Sequence, residues 1–210
     1  MNRFGRPARL LAIVVTMAAC CACLALAEDA PADPAKAEAE VREQIKKSPN
    51  DAELQFKLGN MMYDQGRRTE AQQSYEKAVE LKPNYVQALV NLGVVLNEEG
   101  KSEEALNQFR KAVAIAPNDV TVLCNMGQAH YAQKEYQKAI DLYIKAMTAD
   151  PKSPLPHWLL GTAFADVGIY REAIREWRKV VELDPNGEAG KTAAEGVQTL
   201  QGLLPAGEQP

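Results

Sequence analysis

Apolar and small residues recur along this chain on two scales. Over short stretches they fall three and four apart, the period of a helix with one buried face. Over longer distances the whole pattern returns every 34 residues. Gly59, Gly93, Gly127 and Gly161 keep that spacing, as do Ala71, Ala105, Ala139 and Ala173, the aromatics Tyr75, Phe109, Tyr143 and Trp177, and Pro83, Pro117, Pro151 and Pro185. Leu58, Leu92, Met126 and Leu160 stand just before the glycines, and Ala78, Ala112, Ala146 and Val180 stand three residues after the aromatics. Independent columns with one shared period describe a tandem array whose units pack on their neighbours instead of around a central core.

Each unit reads as two helices. The Leu-Gly pair lies on the first, and the two small residues, seven apart, share a face of the second. A glycine inside a helix costs about 1 kcal/mol against alanine, so one in every unit implies that a neighbouring ring fills the space of the missing side chain. Proline ends the second helix, and Gly66, Gly100 and Gly168 end the first, with Lys134 at that place in the third unit. The units are 52–85, 86–119, 120–153 and 154–187. In the first, helices are expected near Ala52 to Gln65 and Thr69 to Leu81, with Thr69 as N-cap; Ser102 takes that role in the second. Pro154 and Pro156 fit a first helical turn, where the amides lack intrahelical partners. Upstream, Ala37, Val41 and Ile45 are four apart and Pro49 precedes Pro83 by 34, so residues 35–49 resemble a lone second helix covering the open end. Ala193, Ala194, Val197 and Leu200 predict a closing helix over 188–203.

These columns resemble the tetratricopeptide repeat (TPR) family. The resemblance implies an all-α, right-handed superhelical solenoid of helix-turn-helix repeats whose first helices line a concave groove that binds a protein or peptide. On that analogy the groove carries Phe56, Asn60 and Tyr63 from unit 1, and Gln87, Val90, Asn91, Val94 and Asn97 from unit 2. Cys124, Gln128 and Tyr131 come from unit 3, and Leu155, Trp158 and Thr162 from unit 4. Rings on one face suit anchoring of a partner, with amides available to its backbone. The carboxylate clamp of chaperone-binding TPR domains is matched at Asn60 and Asn91 but broken at Phe56, Thr121 and Asn125, which replace its basic residues.

The amino terminus changes the setting. Arg3, Arg6 and Arg9 precede an apolar run from Leu10 to Ala27, and Ala25-Leu26-Ala27 gives a small-x-small cleavage pattern. Met17-Ala18-Ala19-Cys20 also resembles a lipobox with Cys20 as the lipidated residue, and the run is long enough to serve as an uncleaved anchor. Each outcome places the repeats outside the cytoplasm, in a periplasm or attached to the cell envelope, with a Pro- and Ala-rich linker at 28–34. Removing residues 1–27 takes three arginines and moves the formal charge from −4 to −7. That balance disfavours nucleic acid and limits membrane contact to the amino-terminal segment; it favours a basic protein partner. Cys124 alone would remain, so no internal disulfide is expected.

No catalytic constellation emerges. His130 and His157 occupy packing columns, no metal-ligand spacing or phosphate loop occurs in residues 28–210, and paired acids such as Glu98-Glu99 and Glu103-Glu104 flank a turn. No enzyme activity, metal or cofactor is expected. The sequence therefore points to an exported scaffold or adaptor in cell-envelope assembly. The alternative is a self-associating protein whose groove accepts the 36–47 helix of another copy, giving an oligomer or coat.

Overall fold

The computed structural model describes residues 34–204. The segment 1–27 read as an export signal or anchor, with Cys20 as its lipidation candidate, and residues 28–33 of the expected linker lie outside the described residues. The chain falls into two compact units, residues 1–39 and 40–210. In the first, residues 34–39 open helix α1, so Pro34, expected to end the linker, is already helical.

Among the described residues the helices are α1 Pro34–Lys47, α2 Ala52–Asp64, α3 Arg68–Leu81, α4 Val86–Glu98, α5 Ser102–Ile115, α6 Val120–Ala132, α7 Tyr136–Ala149, α8 Pro154–Asp166, α9 Tyr170–Leu183 and α10 Glu188–Leu203. Within the second compact unit, α2 to α9 pack as four consecutive pairs, the second helix of each pair lies on the first helix of the next, and α10 packs on α9. First helices also touch across units, α4 with α6 and α6 with α8. The buried side chains accordingly form adjoining clusters along the array: one runs from Val41 to Ala129, one joins Leu123 to Leu160, and one joins Ala173 to Leu200.

All four turns inside the pairs close in the same way. The amides of Gly66, Gly100, Lys134 and Gly168 donate three residues back, and those of Arg67, Lys101, Glu135 and Ile169 donate five back, to Met62, Leu96, His130 and Phe164. This double closure requires a left-handed residue. Gly66, Gly100 and Gly168 have φ of 73°, 78° and 81°, and Lys134 adopts 62° in their place. The second helices begin one residue earlier than expected, at Arg68 and Ser102, so Thr69 and Ser102 are not caps; Arg67 and Lys101 hold that position without a side-chain cap bond. The tight closure leaves no extended residue free to cap. Genuine caps stand before first helices, where Asp51 accepts from Glu53 and Leu54 N–H and Asp119 accepts from Val122 N–H.

The space beside each repeat glycine is taken by the aromatic of the same unit. A Cβ on Gly59, Gly93, Gly127 or Gly161 would lie 2.4 to 2.6 Å from Tyr75, Phe109, Tyr143 or Trp177. Burial of such a ring contributes about 1.5–3 kcal/mol, which the close approach makes possible at all four sites. Ala71, Ala105, Ala139 and Ala173 are fully buried on the same side. Before Pro83, Pro117 and Pro151 the chain leaves the helix at Lys82, Ala116 and Asp150, as the steric restriction on the residue preceding proline demands.

Candidate binding groove

The residues assigned to the groove lie on α2, α4, α6 and α8, and the structure divides them by depth. Gln87 is exposed; Phe56, Asn60, Tyr63, Asn91, Val94, Asn97, Gln128, Tyr131, Leu155, Trp158 and Thr162 are half-buried. Val90 and Cys124 are buried, the latter 1% exposed. They occupy the position that Phe56 and Trp158 hold in the outer units, and the shorter side chains end beneath the surface, Cys124 among Leu123, Ala139, Tyr143 and Leu160. A partner would meet the atoms above them, so neither is open lining.

Several of the polar and aromatic groups are bound to the protein itself. Tyr75 Oη donates to Asn60 Oδ1 at 2.8 Å, and Asn91 Nδ2 donates to the same oxygen at 3.0 Å. The two amides that match the carboxylate clamp thus satisfy each other across units 1 and 2. Phe56 packs on Tyr75 and Tyr85, ring centroids 5.8 and 5.0 Å apart. Trp158 stacks on Trp177 at 5.6 Å, and Thr162 Oγ1 donates to the Trp158 carbonyl.

At one rim the same bond appears twice. Tyr63 Oη donates to Glu98 at 2.6 Å, and Tyr131 Oη donates to Asp166, each pair 35 residues apart and the second displaced from the first by two units. Glu98 also accepts from Arg68 Nε at 2.8 Å. Burial first, and the carboxylate acceptor second, raise both phenols above the usual range. The Tyr at the end of one first helix is therefore strapped to the end of the next first helix. Sequence reading assigned these rings to a partner and missed the straps, although the paired 35-residue spacing was present.

Both histidines are held by carboxylates, His130 Nδ1 to Glu135 at 2.6 Å and His157 Nδ1 to Glu176 at 2.9 Å, the second pair nearly buried between α8 and α9. Hydrogen bonds to Lys138 and then His130 hold the Glu135 carboxyl below its usual range. Among the described residues no cluster of three or more His, Cys, Asp or Glu could hold a metal ion, and no helix is long and apolar enough to cross a membrane.

Comparison with known proteins agrees with this architecture. The family model described as the cytochrome c-type biogenesis protein H TPR domain matches residues 37–149, more than half of the chain. No curated protein matches the sequence significantly. Solved structures similar to it include MamA, with a TM-score of 0.64 and 24% identity over 73% of this chain and 90% of that one. A MamA fragment, 41-end from Desulfovibrio magneticus RS-1, gives 0.65 and 25% over 75% and 89%. PilW, a widely conserved type IV pilus biogenesis factor, gives 0.69 and 18% over 82% and 84%. The first and third likenesses speak for the fold alone: an all-α, right-handed TPR solenoid. On the strength of the family match, the chain belongs to the tetratricopeptide repeat family of the cytochrome c-type biogenesis protein H TPR domain.

Proposed function

We propose that this protein is a cell-envelope adaptor that holds a segment of another polypeptide along its first helices, and that it does so in the biogenesis of c-type cytochromes. The observation that carries the reading is that Gln87 is exposed and Val94, Gln128 and Leu155 are half-buried, one or two side chains per unit on α4, α6 and α8, first helices that touch across units. Such a row offers apolar contact and amide hydrogen bonds at a regular step, which an extended or helical segment can follow. The description of the matched family supports the pathway over pilus assembly. The export signal read in residues 1–27 supports the location.

The rim supports a basic client, although Glu98 there is already paired with Arg68. Asp64, Glu98 and Asp166 stand at the C-terminal ends of α2, α4 and α8, where the helix dipoles are also negative. A client segment carrying Lys or Arg fits that edge. Calorimetric titration of the full chain with an apocytochrome c tests this, with Gln128→Arg and Gln128→Glu as matched variants. Binding weakened about tenfold by Arg, and retained or tightened by Glu, supports a basic segment over α6. Binding that ignores both substitutions overturns the groove, and absence of binding to the apocytochrome overturns the pathway.

A further inference from the structure

The four units serve as controls for one another, and unit 4 departs from the rest at its turn. The residues flanking the left-handed position are Gln65 and Arg67 in unit 1, Glu99 and Lys101 in unit 2, and Gln133 and Glu135 in unit 3; in unit 4 they are Val167 and Ile169. These two apolar side chains are 50% and 44% exposed. Tyr136, opening α7 in the adjacent turn, is 40% exposed. Tyr131 ties the two turns together, since its ring meets Tyr136 edge-on at 5.2 Å while its hydroxyl donates to Asp166, next to Val167.

α10 adds a fourth apolar group to this edge. A Cβ on Gly196 would lie 2.6 Å from the Trp177 ring, and one on Gly190 would strike the Asp184 carbonyl. α10 therefore runs back along α9, and Tyr170 at the start of α9 and Leu204 at the end of α10 pack against the same buried cluster, which puts Leu203, 48% exposed, at that end of the pair. Four of the six exposed large apolar side chains among the described residues are therefore at one edge.

The helix that leaves this edge is basic on its outer face. Arg171, Arg175 and Arg178 are exposed at helical spacing along α9, with Lys179 beside the last. The matching residues on α3 are Thr69, Gln73 and Glu76, on α5 Glu103, Asn107 and Arg110, and on α7 Gln137, Asp141 and Ile144. Only α9 carries three cations there. Of the three acids of α9, Glu176 is buried against His157 and also accepts from Arg175 at 3.3 Å, Glu182 pairs with Lys179, and Glu172 is half-buried.

We propose that this edge, Val167, Ile169, Tyr136 and Leu203 with the arginines of α9, docks on the surface of an anionic lipid bilayer. Apolar side chains at a tight turn between two helices project outward, so they enter a soft interface instead of clasping a protein side chain. Tyrosine at the headgroup level and cationic groups facing anionic lipid complete the match. The acidic net charge, which argues against an anionic surface, averages over the whole array, and the two carboxylates beside this edge are engaged, Asp166 by the Tyr131 hydroxyl and Glu135 by His130 and Lys138. The docked protein would lie with unit 4 against the membrane and the α2 and α4 portion of the groove away from it.

Hydrogen exchange of the full chain, with and without vesicles, tests the assignment locally, because residues 1–33 are present in every arm. Vesicles of phosphatidylglycerol with phosphatidylcholine are expected to slow the amides of 167–171 and 203–204 about tenfold or more, and phosphatidylcholine alone is not. Arg175→Glu with Arg178→Glu, or Val167→Ser with Ile169→Ser, removes that protection while the thermal transition stays in place. Equal protection by both vesicle types overturns the anionic assignment, and unchanged exchange overturns docking. Protection of the same amides by polyglutamate but not by vesicles makes the edge an acidic-protein site and likewise overturns the proposal.

Discussion

Lys134 holds a φ of 62° in a turn where the other three units have glycine. The left-handed region is unfavourable for a side chain carrying Cβ, so Lys134→Gly relieves strain that the repeat architecture imposes. The glycine's larger unfolded-state entropy offsets part of the gain. The net expectation is roughly 0.5 kcal/mol of added stability, read from urea unfolding, whereas Gly100→Lys should lose about 1 kcal/mol. Inside the helices the glycines act for a different reason. Gly127→Ala gains about 1 kcal/mol of helix propensity but drives a Cβ to 2.4 Å from Tyr143, and overpacking of a fixed ring costs more. A net loss of about 1–3 kcal/mol is expected, and Gly127→Ala combined with Tyr143→Leu should lose less than the two changes summed. Gly202, with nothing near its Cβ position, should accept alanine without loss.

Between elements, the straps from Tyr63 to Glu98 and from Tyr131 to Asp166 couple units through their first helices. A phenol ordinarily titrates near pH 10, and these two are held higher in the folded state. The folded protein thus keeps those protons more firmly than the unfolded chain. Their stabilisation is whole below about pH 10 and is lost as pH rises beyond it. A Tyr63→Phe, Tyr131→Phe variant should therefore be less stable at pH 8 and show a shallower fall in Tm between pH 9 and pH 11, relative to the parent. The closing element depends on one ring. Trp177 lies against Gly161 on one side and Gly196 on the other, and its Nε1 donates to the Trp158 carbonyl at 3.3 Å. A smaller ring would not span from α8 to α10, so Trp177→Leu should cost about 2–4 kcal/mol and release the α10 amides to exchange first.

At the scale of the molecule, adjoining clusters without a central core predict graded unfolding. Exchange protection should be highest in α4 to α7, which have neighbours on both sides, and fall toward α1 and α10. A single coincident transition for all helices would contradict that order. The same one-dimensional build allows unit 4 to carry different residues at its turn while its helices keep the packing of the other units. Each unit keeps the residues that hold the stack and is free to vary elsewhere.

The period of 34 residues and the Gly, Ala, aromatic and Pro columns determined the helices, their pairing and the ring beside each glycine, because those constraints act between residues of one unit or of adjacent units. The depth of Val90 and Cys124, the mutual bond of Asn60 and Asn91, and the straps of Tyr63 and Tyr131 were decided only by the tertiary structure. Identical positions in successive units differ in burial according to the size of the neighbouring side chain, and a polar group's partner is whatever the next unit brings within about 3 Å. A repeating pattern carries no record of that distance, so the frame was legible in one dimension and the free surface was not.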